Sequence, residues 1–235
     1  MTGTLINIAT VLLGGTAGTI LGARLPQRIR ETVMHGIGLM TVFIGLSMAL
    51  KTQHPIILLG SIVLGGIVGE LLGVDHSLRV LGDRFEGRFG ASFGGKSAQA
   101  GNFSKGFVTA SLIFCVGPMT ILGSIQDGLT GDYSLLAIKS VLDGFTALAL
   151  SATFGIGVAF AAVTILVYQG ALTLGAAWAR ALLTESMVTE MSAAGGLIIL
   201  GIGLTILELK PIRVANFLPA LVFAPVLAAL FGGHV

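Results

Sequence analysis

Apolar residues in this chain gather into long runs interrupted mainly by small residues, with short polar stretches between them. A bilayer core about 30 Å thick calls for about 20 mostly apolar residues per spanning helix. Eight stretches come near that length: residues 5–23, 33–50, 55–73, 106–123, 134–154, 157–181, 192–207 and 212–232. The pattern predicts an all-α integral membrane protein with about eight transmembrane helices. Gly117-Pro118 interrupts the fourth stretch. The fifth and sixth join with almost no polar break around Thr153 to Gly157, and one long bent helix there would change both count and topology.

The one sizeable hydrophilic segment is 74–104. Leu78, Leu81, Phe85 and Phe89 recur at helical spacing with Arg79, Arg84 and Arg88 between them. That suits a short helix lying in the membrane interface. Residues 90–101 are rich in Gly, Ser and Ala and read as a flexible linker. A plain connector between two helix groups would look the same.

A shift of 158 residues lays the first three stretches over the last three. Gly38, Leu39, Ile44, Gly45 and Leu46 then meet Gly196, Leu197, Ile202, Gly203 and Leu204, while Ser47 meets Thr205. Counting spans makes the two triplets inverted relative to each other, an arrangement that recurs in secondary transporters. The expected organisation is a three-helix repeat at 1–73, the hydrophilic segment at 74–104, a central helix pair with the candidate site at 105–156, and a second repeat at 157–235.

Composition sharpens the class. Hydrophobic residues are 54% of the chain and charged residues 10%, with a mean hydropathy of +0.96. A soluble domain carries roughly 25% charged residues because its surface faces water; here the surface faces lipid. The 35 glycines fit helices that approach one another closely. A net charge of +2 gives no reason to expect nucleic acid as a partner. Its distribution says more. Eight spans put Arg24, Arg28, Arg30, Arg79, Arg84, Arg88, Lys96, Lys105, Lys210 and Arg213 on one side, and leave Lys51, Lys139 and Arg180 for the other. The positive-inside rule makes the first side cytoplasmic and places both termini outside. The single Cys115, inside an apolar stretch, reads as a small packing residue, and residues 1–4 lack the basic start of a signal peptide.

Candidate chemistry concentrates in the fourth and fifth stretches. Gly117-Pro118 removes a backbone hydrogen bond within the membrane, as in the discontinuous helices that hold substrates, although a structural kink would need the same residues. Asp143 lies near the middle of the fifth stretch, where an ionisable group costs at least ~2.5 kcal/mol and needs a partner or a cavity. Lys139 lies one turn earlier on the same face, and Ser140, Gly144, Ala147 and Ser151 continue it as a small, polar stripe. A structural Lys139–Asp143 ion pair competes with the wall of a binding site. Gln126 and Asp127 end the fourth stretch toward the outside and could form a vestibule leading to Asp143. Glu70 and Glu208 sit at cytoplasmic helix ends, where they can snorkel to the interface. Asn7, Asn216 and Gln169 suit interhelical hydrogen bonds better than ligand contacts. Gly14, Gly18 and Gly22, and again Gly65, Gly69 and Gly73, form stripes for packing within the chain or, as the alternative, between copies in a homo-oligomer. No phosphate loop, nucleophile elbow or metal-spaced cluster occurs, and His35, His54, His76 and His234 are scattered; neither catalysis nor a cofactor or metal is expected.

The stretch Cys115 to Gly128, CVGPMTILGSIQDG, resembles the most distinctive block of the YqgA/YdfK-like family of bacterial membrane proteins, whose function is unknown. Lys139 to Gly144, Val214 to Pro219 and Gly3 to Asn7 are similar to further blocks. The resemblance implies a multi-pass protein of the bacterial inner membrane and supplies no substrate. Taken with the polar residues above, the expectation is a small transporter or channel for an ion or small polar solute, with its site between the fourth and fifth spans. A non-transporting scaffold or assembly factor is the alternative.

Overall fold

The computed structural model describes residues 1–22, 26–78, 80, 84 and 100–231. Among them there is no strand. The helices are α1 (Thr2–Gly22), α2 (Gln27–Ala49), α3 (Pro55–Leu72), α4 (Ala100–Cys115), α5 (Pro118–Thr130), α6 (Ser134–Phe154), α7 (Ala161–Leu174), α8 (Ala176–Leu182), α9 (Glu185–Ile206) and α10 (Ala220–Phe231), with 3-10 turns at Gly155–Val158 and Val214–Phe217. Among the described residues, six helices are long and apolar enough to cross a membrane, or up to eight if the bent pairs α4–α5 and α7–α8 each form one span. The protein is therefore an all-α, multi-pass membrane protein. Its outward residues say so directly: Leu59, Val63, Ile67 and Leu71 of α3, and Ile138, Val141, Leu142 and Phe145 of α6, are all exposed. On α6 the polar stripe is the buried one, so its amphipathicity is reversed relative to a helix in water.

Two boundaries differ from the sequence reading. Helix α4 already begins at Ala100, where a linker was expected. Helix α9 begins at Glu185 rather than 192, because the Thr184 hydroxyl accepts the Met187 N–H at 3.3 Å and caps a first turn too polar to register as a span. Apart from Leu78, Val80, Arg84, Ala100 and Gly101, the expected interfacial helix and linker lie outside the described residues.

The chain forms two compact units that interleave in sequence: Met1–Met34, Leu78–Cys115 and Met119–Ala177 in one, His35–Ser77, Val116–Pro118 and Trp178–Val235 in the other. In the first, α1 lies parallel to α6. A Cβ placed on Gly14, Gly18 or Gly22 would collide with the backbone carbonyls of Gly144, Leu148 and Ala152 respectively, so the glycine stripe is what lets the two backbones touch. Helix α7 runs opposite to α1, with Thr4 beside Thr173 and Asn7 beside Gln169. The chain therefore reverses between α6 and α7, which are separate helices despite the weak sequence break. Helix α4 runs parallel to α7, pairing Phe103 with Gly157 and Ser111 with Thr164. Between α4 and α5 the axis bends by 61°. There the Thr120 hydroxyl donates to the Phe114 carbonyl at 3.0 Å, replacing one backbone bond lost at Gly117-Pro118.

In the second unit α2 opposes α9. Gly45 meets Gly196 and Leu200, while Gly38 meets Leu207 and, across the crossing, Gly203. Helix α3 opposes α10: Gly65 is covered by Ala220 and Gly69 by Asn216. Gly73 plays another part, ending α3 at φ +61°, where a glycine avoids left-handed strain. Apart from Gly73, both stripes are thus covered within the chain. Val116 fits the notch left by the absent side chain of Gly195.

Glu190 holds the turn before α3. Its fully buried carboxylate accepts the Gln53 N–H at 2.8 Å, the His54 N–H at 3.2 Å and the Thr52 hydroxyl at 2.6 Å. These donors precede Pro55 and have no helical acceptor of their own. At the other end of α3, Glu70 accepts from Arg213 at 2.6 Å and from Asn216 at 2.5 Å, and Asn216 Oδ1 accepts the Asp75 N–H at 2.8 Å.

Substitutions at Gly18, Gly36 and Glu190 test this packing. Gly18→Leu should destabilise the purified protein by about 1–3 kcal/mol, since the obstacle is backbone that cannot turn aside. Gly36→Ala, which meets open space, should be neutral or slightly stabilising in the same thermal melt. Glu190→Leu strands three donors and should lose about 1–3 kcal/mol, whereas Glu190→Gln, which keeps an acceptor, should lose less.

Candidate functional site

The buried face of α6 carries Lys139, Ser140 and Asp143, at 5%, 0% and 8% exposure. Asp143 stands about 14 Å along a helix whose full length is about 31 Å, so the carboxylate is at mid-helix. Lys139, one turn earlier, bonds Asp143 Oδ2 directly. The same Oδ2 accepts Asn7 Nδ2 from α1 at 3.0 Å. Asn7 Nδ2 also donates to Gln169 Oε1 of α7 at 3.0 Å, and Gln169 Nε2 donates to Thr4 Oγ1 at 3.2 Å. Thr4 and Thr173 hydroxyls close the series at 3.2 Å. An ion pair and a chain of amides and hydroxyls thus cross from α6 through α1 to α7.

Hydrogen-bonding capacity in this cluster is not used up. Among the described residues, the Lys139 ammonium donates only to Asp143, and nothing donates to Asp143 Oδ1. Asn7 Oδ1, on a side chain with no exposure, has no partner, and neither has Ser151 Oγ further along α6. Buried polar atoms left this way carry a desolvation cost of about 1–3 kcal/mol each unless water or a ligand meets them.

The other residues singled out in the sequence have separate settings. Ser140 Oγ bonds the Leu136 carbonyl at 2.6 Å, an ordinary back-bond. Asp127 is not part of an open vestibule: its side chain is 2% exposed and its Oδ2 accepts the Met1 amine at 3.0 Å and the Gly3 N–H at 3.1 Å, capping α1. Gln126 is exposed and donates to Asp132 Oδ2 at 2.8 Å. Asp132 in turn caps α6, its Oδ1 accepting the Ser134 hydroxyl at 2.6 Å and the Ser134 N–H at 3.0 Å. Those two bonds from Ser134 hold the Asp132 carboxyl below its usual range. Gly117 and Pro118 form the α4–α5 break and belong to the second compact unit.

Asn7 proves to be a partner of Asp143, and Gln169 a partner of Asn7; the sequence marked both for interhelical hydrogen bonds but did not join them to Asp143, and it did not single out Thr4, Thr173 or Glu190. The signal for the first pair was present in principle, since both are amides deep in apolar stretches. No group of three or more His, Cys, Asp or Glu able to hold a metal ion occurs among the described residues.

Residues 2–229 match the family model described as a protein of unknown function, DUF554. The chain is 30% identical to the uncharacterized membrane protein YdfK of Bacillus subtilis (strain 168), over 96% of this chain and 95% of that one. It is 34% identical to the uncharacterized protein YqgA of Escherichia coli (strain K12), over 97% of this chain and 96% of that one. No solved structure matches. With a match over nearly its whole length and relatives that align end to end, the chain belongs to the DUF554 family.

Proposed function

We propose that the protein moves an ion or a small polar solute across the bacterial cytoplasmic membrane through the cluster around Asp143, and that it is a transporter or channel rather than an enzyme. The observation that carries this reading is the buried Lys139–Asp143 pair, with Asp143 at mid-helix, beside an Asn7 whose Oδ1 has no partner among the described residues. Selection for stability alone would favour apolar residues at that depth.

Helix directions support eight spans. Were α4–α5 to re-enter the side it left, α6 would be the fourth crossing and antiparallel to α1; instead the two are parallel. Were α7–α8 to re-enter, α9 would run parallel to α2; instead they are opposed. The pairs α1–α7, α2–α9 and α3–α10 are those matched by the 158-residue shift, and each is antiparallel. In that register Gly38 corresponds to Gly196 and Gly45 to Gly203, and the contacts are crossed, Gly45 on Gly196 and Gly38 beside Gly203. A pseudo-two-fold axis in the membrane plane requires such an exchange, which favours inverted repeats and the architecture of secondary transporters. In intact cells, a Cys at Tyr133 should react with an impermeant maleimide and a Cys at Lys210 should be protected; the reverse pattern would refute the orientation.

The second reading, a non-transporting scaffold with Lys139–Asp143 as a structural pair, is favoured by the direct contact between the two charges. Asp143→Asn separates them. If the pair is only structural, Asn leaves a buried ammonium unpaired, destabilises the fold by roughly 3–5 kcal/mol and is rescued by adding Lys139→Met. If Asp143 serves transport, Asp143→Asn should keep most of its stability while abolishing flux of ions or solutes in reconstituted vesicles, and Lys139→Met should not restore that flux.

A further inference from the structure

Resting on the transport reading, we infer that the solute is small, carries no net charge and bears N–H or O–H donors, and that Asn7 Oδ1 and Ser151 Oγ are the atoms that receive it.

Charge balance speaks against an ion. Lys139 and Asp143 are the only charged side chains on α1, α6 and α7, and they bond each other directly. Lys105 of α4 stands 6.0 Å from the ring centroid of Phe154, at the far end of α6. Asp127 of α5 is engaged by the Met1 amine. The pair therefore leaves no charge over. An ion entering beside it would add an uncompensated charge at mid-membrane, which is expensive; an uncharged solute adds none. The oxygens a cation would need are also engaged. Lys139 and Asn7 Nδ2 both donate to Asp143 Oδ2, and Asn7 Nδ2 donates to Gln169 Oε1 as well.

What remains is an acceptor in want of a donor. An amide nitrogen carries two N–H groups, and Asn7 Nδ2 has an oxygen for each at 3.0 Å, Asp143 Oδ2 and Gln169 Oε1. Turning the amide over would set Oδ1 against both oxygens, so its orientation is fixed. Oδ1 is left on the other side without a partner among the described residues, on a side chain with no exposure. An amide oxygen only accepts, so the group that meets it must be an N–H or an O–H. Ser151 repeats the situation about two turns further along the same stripe of α6, some 12 Å from Asp143 along the axis. Its hydroxyl has no partner among the described residues at 1% exposure, and the buried Ala147 between them offers no polar side-chain atom. Neighbouring hydroxyls are already spent, Ser140 on the Leu136 carbonyl and Thr173 on the Gln169 carbonyl. Two neutral, idle groups in succession suit a solute that sheds water and is met by hydrogen bonds at each. The full burial of Asn7 limits that solute to a few heavy atoms.

The test uses the full chain in vesicles, with urea and glycerol as uncharged donors and with guanidinium, which has the shape of urea but a charge, and sodium as ions. The protein should speed entry of at least one uncharged probe, read by stopped-flow light scattering, and of neither ion. An imposed potential of 100 mV should leave that entry unchanged, whereas one charge carried across it would shift the equilibrium ratio about fiftyfold. Ser151→Ala removes a hydroxyl that has no partner among the described residues; it should melt no lower than the unaltered chain and slow the flux about two- to tenfold. Asn7→Leu should abolish the flux, and Ser151→Ala keeps the question open to test should that variant fail to fold. Asp143-dependent flux of sodium or guanidinium with urea and glycerol excluded would overturn the inference and leave the transport reading standing. Uncharged flux indifferent to Ser151→Ala would also overturn it. Absence of flux of either kind would remove both.

Discussion

The contact on which the rest of the first unit depends is backbone against backbone, where α1 lies along α6. Because Gly14, Gly18 and Gly22 have no side chains, the helices approach until the α6 carbonyls of Gly144, Leu148 and Ala152 fill the space where Cβ atoms would be. Only at that separation can a side chain as short as Asn7 reach Asp143, and only then does the amide chain extend to Gln169 of α7. In lipid no hydrophobic force drives helices together, so close van der Waals contact and interhelical hydrogen bonds must do so. Here one sequence feature provides both: the glycines set the distance, and the distance makes the polar bonds.

Other carboxylates show why Asp143 stands apart. Asp127 caps α1, Asp132 caps α6, and Glu190 satisfies the turn before α3. Each meets backbone N–H groups that a helix start leaves unpaired, and a structural need accounts for it fully. Asp143 meets none. It sits at mid-helix, bonded to a cation and an amide, with one oxygen idle. The distinction lies in the kind of donor, because Asp127 and Glu190 are as buried as Asp143.

Class, span positions and the Lys139–Asp143 pair were legible because each depends on local pattern: apolar run length for the spans, one helical turn for the pair. What local pattern does not encode is which helices become neighbours. Asn7 and Gln169 read as generic interhelical amides since nothing near them in sequence points to α6. Glu190 was missed for a related reason. Its helix begins seven residues before the apolar run, so the side chain looked like part of a polar loop when it is turned into the protein. Asp127 was expected at an open surface, and its burial comes from the start of α1 folding over it. The weak break near Thr153 to Gly157 left α6 and α7 unresolved in sequence; their directions relative to α1 resolve them.

The same α1–α6 contact has a consequence for how the protein is made. Gly14 and its neighbour Gly144 are separated by 130 residues of chain. At synthesis rates of roughly 5–20 residues per second, α1 is complete roughly 7–26 s before the helix that covers its glycine face emerges. Through that interval the first helix rests in the bilayer with an amide side chain and a bare stripe of backbone turned toward lipid, and nothing yet produced can satisfy them. Helix α1 is thus made well before it can reach its final surroundings, and whatever shelters that face in the meantime belongs to the insertion machinery or to the lipid.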